Sequence, residues 1–409
     1  MFNKILRKKA PVAQSRTFSN RDSSPVSLKS VRQWQPLRLD STLFFLTIAF
    51  VLFGLIFTYS SSGMETSSYF QRQLLFDIIG LGVGLFLSQY YHRLRQIPFI
   101  NPNVMMIITW IFLIIVLFTR TQAHVHRWID FGFFKLQPSE IAKLTLVIYN
   151  ADYLSKVAGR LSRDIKQTVS LLWKPFAVSG FTLALILAEK DLGTPILMGT
   201  VFAAMLLVAG MKFLHLVLPA VPVGLFVLYQ VLFVPYRRAR VFSFLNPFEQ
   251  EGDIGYQLVR SFLAVGSGGW FGKGFGNSEL KMQYLPAAHT DFIFSIMCEE
   301  IGLFVGLVIA GFCILLVQGI NLAREAKDNA HALLIFGLTL TISLQAFFNM
   351  GMAIGLLPTK GIALPFFSYG GSSVIMTLAM MGIILNTAAI ETQPQQNRET
   401  IPHYKRVNR

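Results

Sequence analysis

The sequence has few charged residues and almost no cysteine. Asp, Glu, Lys and Arg together make up 14% of the 409 residues, and there are two cysteines. A disordered chain needs high charge and few apolar residues, so this composition excludes one. Cys298 and Cys313 lie about four helical turns apart on one predicted helix, too far apart for a disulfide. No Cys/His metal site is expected either.

Apolar residues are what the chain has in abundance. The hydrophobic fraction is 53% and the mean hydropathy is +0.52, which indicates an integral membrane protein rather than a soluble core with a polar surface. A spanning helix needs about 20 apolar residues. Unbroken runs such as 104–119 lack the alternation of a transmembrane β-barrel. The sequence therefore predicts an all-α integral membrane protein.

Ten hydrophobic runs follow one another along the chain and predict ten transmembrane helices. A basic tail of residues 1–40 precedes this membrane domain of 41–390, and a tail of 391–409 follows it. The one large excursion is a predicted outer loop, residues 235–290, between helices 7 and 8. The runs lie near 41–58, 74–89, 104–119, 138–154, 172–188, 194–210, 213–234, 292–319, 331–356 and 366–389.

The distribution of Lys and Arg predicts the orientation of the chain in the membrane. An even number of spans places both termini on one side. On that side lie 23 Lys and Arg, with Lys174 at the start of the fifth run included, against 6 in the short loops opposite. Positive residues accumulate in cytoplasmic segments. Both termini are therefore expected to be cytoplasmic. The basic residues are dispersed between the apolar runs, so the net charge of +15 does not indicate a nucleic-acid partner.

Polar residues cluster where the eighth run begins. Ionisable residues at the ends of spans are costly and often mark sites. Thr290 or Asp291 would cap the helix, and the helix N-terminus would also keep Asp291 ionised, as a proton-accepting carboxylate requires. His289 stands beside them. Glu299 and Glu300 follow two turns later, and a structural ion pair is the alternative to a functional role for each.

Several cations are predicted at the same outer face. Glu140 and Lys143 open the fourth run three residues apart, where they would also neutralise each other. Lys360 lies in the last outer loop, where a lone lysine is usually solvated. Arg237 and Arg240 open the long loop and would hold lipid phosphates in general or one polyanionic substrate. One carboxylate with several cations favours a phosphorylated lipid over a neutral solute.

Several motifs resemble one family of bacterial membrane proteins. Residues 284–295 have the sequence Tyr-Leu-Pro-Ala-Ala-His-Thr-Asp-Phe-Ile-Phe-Ser, and Glu-Glu-Ile-Gly follows at 299–302. Residues 349–373 contain Leu-Pro-Thr-Lys-Gly and Phe-Ser-Tyr-Gly-Gly-Ser-Ser, with shorter matches at 137–143 and 191–194. Over roughly residues 40–390 the chain resembles the SEDS proteins of bacterial cell-wall synthesis.

Two details place the chain within that family. Residues 276–286 and 359–361 resemble the cell-division branch rather than the elongation branch. Glu189-Lys190 is a departure, since Gln-Pro is expected there. This departure weakens any role that the resemblance would imply for the loop that contains Glu189 and Lys190.

The resemblance implies a peptidoglycan glycosyltransferase that polymerises lipid II at the division septum, in the bacterial cytoplasmic (inner) membrane. Its expected partners are lipid II, the undecaprenyl-pyrophosphate-linked glycan, a class B penicillin-binding protein and other membrane proteins of the division machinery. Asp291 matches the family's proposed catalytic residue, a base for the acceptor hydroxyl in a single inverting displacement. A lipid II flippase and a noncatalytic division scaffold are the alternatives.

The remaining site residues follow from the same resemblance. The departing pyrophosphate needs cations rather than a proton donor, so one carboxylate is sufficient. No cofactor is certain; magnesium or manganese would help neutralise the pyrophosphate, although no metal-ligand set is evident. Glu299 and Glu300 are expected to have supporting roles. The expected substrate-binding residues are Lys135, Lys143, Arg237, Arg240, Lys360, Ser368, Glu140 and His289.

Cysteine labelling tests the predicted orientation. A cysteine introduced near Glu279 should react with an impermeant thiol reagent added outside intact cells, because the long loop is predicted to be outside. A cysteine near Asn397 should react only after the cells are opened. The reverse pattern would overturn the orientation and every assignment of residues to the outer face.

Overall fold

The protein is a bundle of helices joined mostly by short connections. The computed structural model describes residues 37–61, 66–119, 127–132, 134–161, 165–250, 255–281 and 289–392. Both predicted tails therefore lie largely outside the described residues. The helices are α1 (Ser41–Ser61), α2 (Thr66–Leu94), α3 (Pro102–Leu117), α4 (Pro138–Val157), α5 (Ile165–Ala188), α6 (Gly193–Val208), α7 (Phe213–Phe233), α8 (Pro235–Leu245), α9 (Tyr256–Gly268), α10 (Ile293–Ile301), α11 (Gly306–Glu325), α12 (Asn329–Ala353) and α13 (Gly371–Thr392).

The all-α membrane fold is confirmed, and each of the ten predicted runs coincides with helix. Among the described residues, six helical segments are long and apolar enough to cross a membrane, while α3 and α6 are apolar but shorter. The count of ten spans, the cytoplasmic termini and the domain limits stay predictions. Helices α8 and α9 lie in the predicted outer loop. One small antiparallel hairpin, β1 (Ile129–Asp130) with β2 (Lys135–Leu136), was not predicted.

Local sequence signals fix the start of several helices. Asn101 accepts a hydrogen bond from the Asn103 amide at the start of α3, where Pro102 occupies the first helical position. Asp328 similarly accepts from the Ala330 amide at 2.7 Å before α12. Short polar side chains satisfy amides that have no partner in the first turn, and proline has no amide to satisfy there.

The eighth run is broken at Gly302, whereas the sequence predicts one continuous helix there. Helix α10 ends at Ile301, a 3₁₀ turn covers Gly302–Val305, and α11 continues from Gly306. Gly302 has a φ of +57°, and a Cβ there would meet the Gly272 nitrogen at 2.5 Å and the Gly269 oxygen at 2.8 Å. Only glycine fits at this position, because the main chain of the segment after α9 lies directly against Gly302.

The contacts of α1 show which way the broken segment runs. Gln318 of α11 donates a hydrogen bond to Asp40, directly before α1, at 3.0 Å. Glu300 of α10 bonds to Ser60, in the last turn of α1. Glu299 and Glu300 therefore lie beside the predicted outer end of α1.

The close packing of α2 on α13 forms much of the core. A Cβ on Gly84 would meet the carbonyl oxygen of Leu378 at 2.8 Å, and a Cβ on Gly382 would collide with the main chain of Gly84. Small residues let helix backbones approach closely in membrane bundles. Helix α13 is almost completely surrounded by protein.

Alanine substitutions test this helix contact. Gly382→Ala should lower the free energy of unfolding in detergent by about 2 kcal/mol, because the added methyl group overpacks a backbone contact. Gly82→Ala, on the same helix as Gly84, is the matched control, since a Cβ there meets nothing within 4 Å. Thermal unfolding should show a loss for the first variant and none for the second. Equal melting temperatures would contradict the described contact.

Candidate functional site

The main chain that precedes α10 is held by the segment that precedes α13. Residues 289–292 form turns rather than helix. The three successive carbonyl oxygens of residues 289–291 each accept a hydrogen bond from another part of the chain, which fixes the backbone that carries the Asp291 side chain. His289 accepts from the Tyr369 amide at 2.9 Å, Thr290 from Ser368 Oγ at 2.6 Å, and Asp291 from Asn349 Nδ2 at 2.7 Å.

Asp291 does not cap α10. The residue at the N-cap position is Phe292, which has no side-chain cap, so the capping alternative for Thr290 or Asp291 is wrong. The Asp291 carboxylate instead faces Gly361. A Cβ on Gly361 would lie 3.4 Å from Asp291 Oδ2 and 2.9 Å from Arg127 Nη1. A carboxylate and a guanidinium therefore flank one glycine.

Arg127 is a site residue that the sequence analysis missed. Its guanidinium also reaches the start of α6, where Nη2 lies 3.7 Å from Asp191 Oδ1 and 3.5 Å from the Lys190 carbonyl oxygen. Asp191 is fixed in turn, because its carboxylate accepts from the Gly193 amide at 2.9 Å and from Thr194 Oγ1 at 2.8 Å. The only sequence signal at this loop was the 191–194 motif, which does not point to Arg127.

Glu189 lies beside the same arginine and is fully buried. Neither of its carboxyl oxygens has a hydrogen-bond partner among the described residues. Burial raises the pKa of Glu189 to about 9; the charge of Asp191 raises it further and that of Arg127 lowers it. Glu189 is therefore a neutral acid near pH 7. The sequence marked this residue only as a departure from the family pattern.

Lys143 and Glu140 are both buried and form the ion pair that their spacing allows. Lys143 Nζ lies 2.7 Å from Glu140 Oε2 and 2.5 Å from Gln345 Oε1. Glu140 Oε2 makes no hydrogen bond of good geometry, so the contact is electrostatic. Gln345 Nε2 donates to the Ala363 carbonyl oxygen at 2.9 Å. The pair thus supports the segment next to Gly361 and is not at the protein surface.

Two other expected substrate-binding residues lie at the 289–291 turn. The His289 ring packs between Tyr69 and Tyr369, with ring centroids 5.0 and 5.9 Å away. Ser368 is buried, and its Oγ accepts from the Leu364 amide at 2.7 Å while donating to Thr290. Ser368 therefore holds two main-chain segments together, and its hydroxyl is already engaged.

The remaining expected cations lie on the hairpin, directly before Gly361 and on α8. Lys135 lies on β2 with its side chain 52% exposed, 3.9 Å from Asp130. The Lys360 amide contacts Met352 Sδ at 3.1 Å, and its position in the chain is next to Gly361. Arg237 and Arg240 lie on α8, but their side chains lie outside the described residues. Their substrate-binding roles stay predictions.

Glu299 and Glu300 each pair with a lysine of the outer loop. Lys273 Nζ lies 2.9 Å from Glu299 Oε1, and this hydrogen bond raises the pKa of Lys273. Lys281 Nζ lies 2.9 Å from Glu300 Oε1. Both glutamates are fully buried. These are the structural ion pairs that are the alternative to a functional role for each glutamate. They hold the segment after α9 against the end of α10.

The described residues contain no group of three or more His, Cys, Asp and Glu side chains placed to hold a metal ion. This finding does not test whether a divalent cation enters with a phosphorylated substrate, so that expectation stays open.

A sequence profile shared by FtsW, RodA and SpoVE, described as cell cycle protein, matches residues 40–393. The chain belongs to this family. A probable peptidoglycan glycosyltransferase FtsW of Geobacter sp. (strain M18) is 37% identical over 85% of this chain and 96% of its own length. Another of the same description, from Coxiella burnetii, is 33% identical over 88% of this chain and 98% of its own length.

Solved structures of the family share the fold. Rod shape determining protein RodA of Thermus thermophilus is 28% identical, with a TM-score of 0.61, over 88% of this chain and 99% of that one. A chain from the structure named "Structural coordination of polymerization and crosslinking by a peptidoglycan synthase complex" is 26% identical. It has a TM-score of 0.71, over 88% of this chain and all of its own.

Breaking the buried ion pair tests its role in stability. Lys143→Met should lower the free energy of unfolding by about 3 kcal/mol, because it leaves the Glu140 carboxylate buried and unpaired. Adding Glu140→Gln should recover much of that loss. Lys156→Met is the control, since this lysine is 68% exposed in its pair with Asp152 and such pairs contribute about 1 kcal/mol or less. The hypothesis is wrong if the double variant is no more stable than Lys143→Met.

Proposed function

We propose that this protein is a peptidoglycan glycosyltransferase that polymerises lipid II into glycan strands, with Asp291 as the general base. Relatives that cover most of the chain are named probable peptidoglycan glycosyltransferases. The observation that carries the residue assignment is the position of the Asp291 carboxylate. It faces Gly361 and Arg127, on a backbone fixed by three hydrogen bonds, and does not serve as a helix cap.

The proposed chemistry needs one base and several cations. The acceptor sugar attacks the anomeric carbon of the donor through its 4-hydroxyl group, and Asp291 takes the proton of that hydroxyl as the new bond forms. The undecaprenyl pyrophosphate leaves from the opposite face, so the α-linked donor gives a β-linked product in one inverting step. A positioned base typically contributes about 10²- to 10⁴-fold. The leaving group needs positive charge rather than a proton.

Arg127 has two roles in this proposal. Its guanidinium and the Asp291 carboxylate flank Gly361, so a positive charge lies near the proposed base. It is also a fixed donor that suits phosphate oxygens. Lys135, Lys360 and the arginines of α8 are the further candidates for the pyrophosphate. Buried Lys143 is better suited to supporting residues 361–364 than to direct substrate contact.

The proposed setting is the septal region of the bacterial cytoplasmic membrane, with a class B penicillin-binding protein as partner. The family membership and the multiple apolar helices support a multi-pass membrane protein. One solved relative comes from a structure named for a peptidoglycan synthase complex, which supports a crosslinking partner for this chain. Lipid II, the division proteins and the septal position are parts of the proposal.

Movement of lipid II across the membrane is the second candidate. Polar contacts continue along α4 beyond Lys143, with Thr145 Oγ1 3.0 Å from Thr109 Oγ1 and Asn150 Nδ2 3.2 Å from Ser179 Oγ. Each of these groups already has a partner on another helix, as is common in membrane bundles. The polymerase is favoured because the carboxylate and the guanidinium that flank Gly361 belong to segments predicted to lie on the outer side.

Asp291→Asn tests the base assignment. Asparagine has nearly the same shape but cannot accept the proton, so glycan synthesis from lipid II by the purified protein with its penicillin-binding partner should fall at least about 10²-fold. Thermal stability and partner association should stay close to wild type. Asp328→Asn, a substitution at an exposed carboxylate before α12, is the control and should keep full activity, because asparagine caps a helix as well as aspartate does.

A normal strand yield from Asp291→Asn would contradict the base assignment. Lipid II transport assayed in vesicles with the same variant separates the two candidate functions. The polymerase proposal expects synthesis to be lost whether or not transport occurs. A variant that loses transport while its synthesis is intact would favour the transporter.

A further inference from the structure

Glu189 is a buried carboxyl beside Arg127 that the proposed reaction does not use. It follows the last residue of α5, and its side chain is completely buried. Lys190, the next residue, has a φ of +63° and is exposed. The left-handed conformation costs a residue with a side chain about 1 kcal/mol or more. The bend directs Glu189 inward while Lys190 faces outward.

The surroundings of the Glu189 carboxyl group disfavour its ionised form. Both oxygens are without a hydrogen-bond partner within the described part of the chain, and an unpaired carboxylate in an apolar interior is very unfavourable. Protonation removes the cost of the buried charge, in agreement with a pKa raised to about 9. The charged groups that face Glu189 are Asp191, at the start of α6, and Arg127, before β1. The negative charge of Asp191 favours the neutral form of Glu189, and the positive charge of Arg127 favours its ionised form.

Arg127 is held loosely enough to respond to a new charge. Its contacts to Asp191 and to the Lys190 carbonyl are 3.7 and 3.5 Å long. Its Nε atom is buried without a partner among the described residues. A guanidinium has five N–H donors, so a second carboxylate on the α5 side would compete for it with Asp291 on the Gly361 side.

We propose that Glu189 is a positioning residue of the Asp291 site: as a neutral acid it leaves Arg127 beside Asp291, and as a carboxylate it draws the guanidinium away. This inference rests on the proposed function, because it assumes that Asp291 works as an ionised base. Glu189 acts through Arg127 and does not touch the substrate. Its ionisation therefore limits synthesis on the alkaline side.

Glu189→Gln is the variant that separates charge from shape. Glutamine resembles the neutral acid, and it is the residue expected here from the family resemblance, so the variant should fold. The wild-type kcat/KM for glycan synthesis should fall about tenfold between pH 8 and pH 10, as a group with a pKa of about 9 loses its proton. The Glu189→Gln protein should lack this decline. Glu325→Gln, at the exposed end of α11, should follow the wild type.

Two further measurements exclude a purely structural role. An infrared band of a protonated carboxylic acid should disappear from the wild type as the pH rises through about 9, and should be absent from Glu189→Gln. The proton is bound more tightly in the folded state, so its contribution to stability is full below the ordinary pKa of 4.5 and declines toward pH 9. A stability change without the difference in kcat/KM would overturn the positioning role.

The inference and the proposed function fail in different ways. An equal alkaline decline in wild type and Glu189→Gln would overturn the inference and leave the glycosyltransferase proposal intact. No synthesis by the wild-type complex at any pH would contradict the proposed function itself, and the inference with it. The inference and the proposed function would both be supported if the wild type shows the alkaline decline, Glu189→Gln does not, and the infrared band is assigned to Glu189.

Discussion

The site depends on the pairing of two main-chain segments that are not helical. Residues 289–291 offer three carbonyl oxygens, and Ser368, Tyr369 and Asn349 supply one donor to each. Irregular backbone is tolerated in a membrane protein only where the surrounding protein or water satisfies its polar groups. Asn349 also donates to the Ile362 carbonyl oxygen at 2.8 Å, so one side chain fixes the position of Asp291 relative to the segment after Gly361.

Charge is distributed through the structure in matched pairs because unpaired charge is so costly in the interior. Lys143 pairs with Glu140, Lys281 with Glu300, and Lys273 with Glu299. Arg127 is different, since its contact to Asp191, at 3.7 Å, is longer than those of the lysine pairs. The lysines stabilise the frame of the site. The longer contact makes the ion pair of the arginine weaker than those of the lysines.

The sequence predicts the helices well because a span requires a long apolar run, and such a run is visible without any tertiary information. It does not predict the break at Gly302, since apolar residues continue on both sides and the cause is the loop at Gly269 and Gly272. It finds Asp291 through a motif. It misses Arg127, because the contact depends on Gly361 bringing together segments that are distant in the chain.

Glu189 shows why residue type alone does not give charge. In the sequence it adds a negative charge to a loop that already contains Asp191, which suggests repulsion. In the structure the burial of the side chain and the neighbouring Asp191 favour the protonated form, so the repulsion is absent near pH 7. A neutral Glu189 leaves one positive guanidinium, Arg127, with the two carboxylates of Asp191 and Asp291. In the proposed reaction, that balance leaves Arg127 near the base Asp291, because the guanidinium is not drawn toward a third carboxylate.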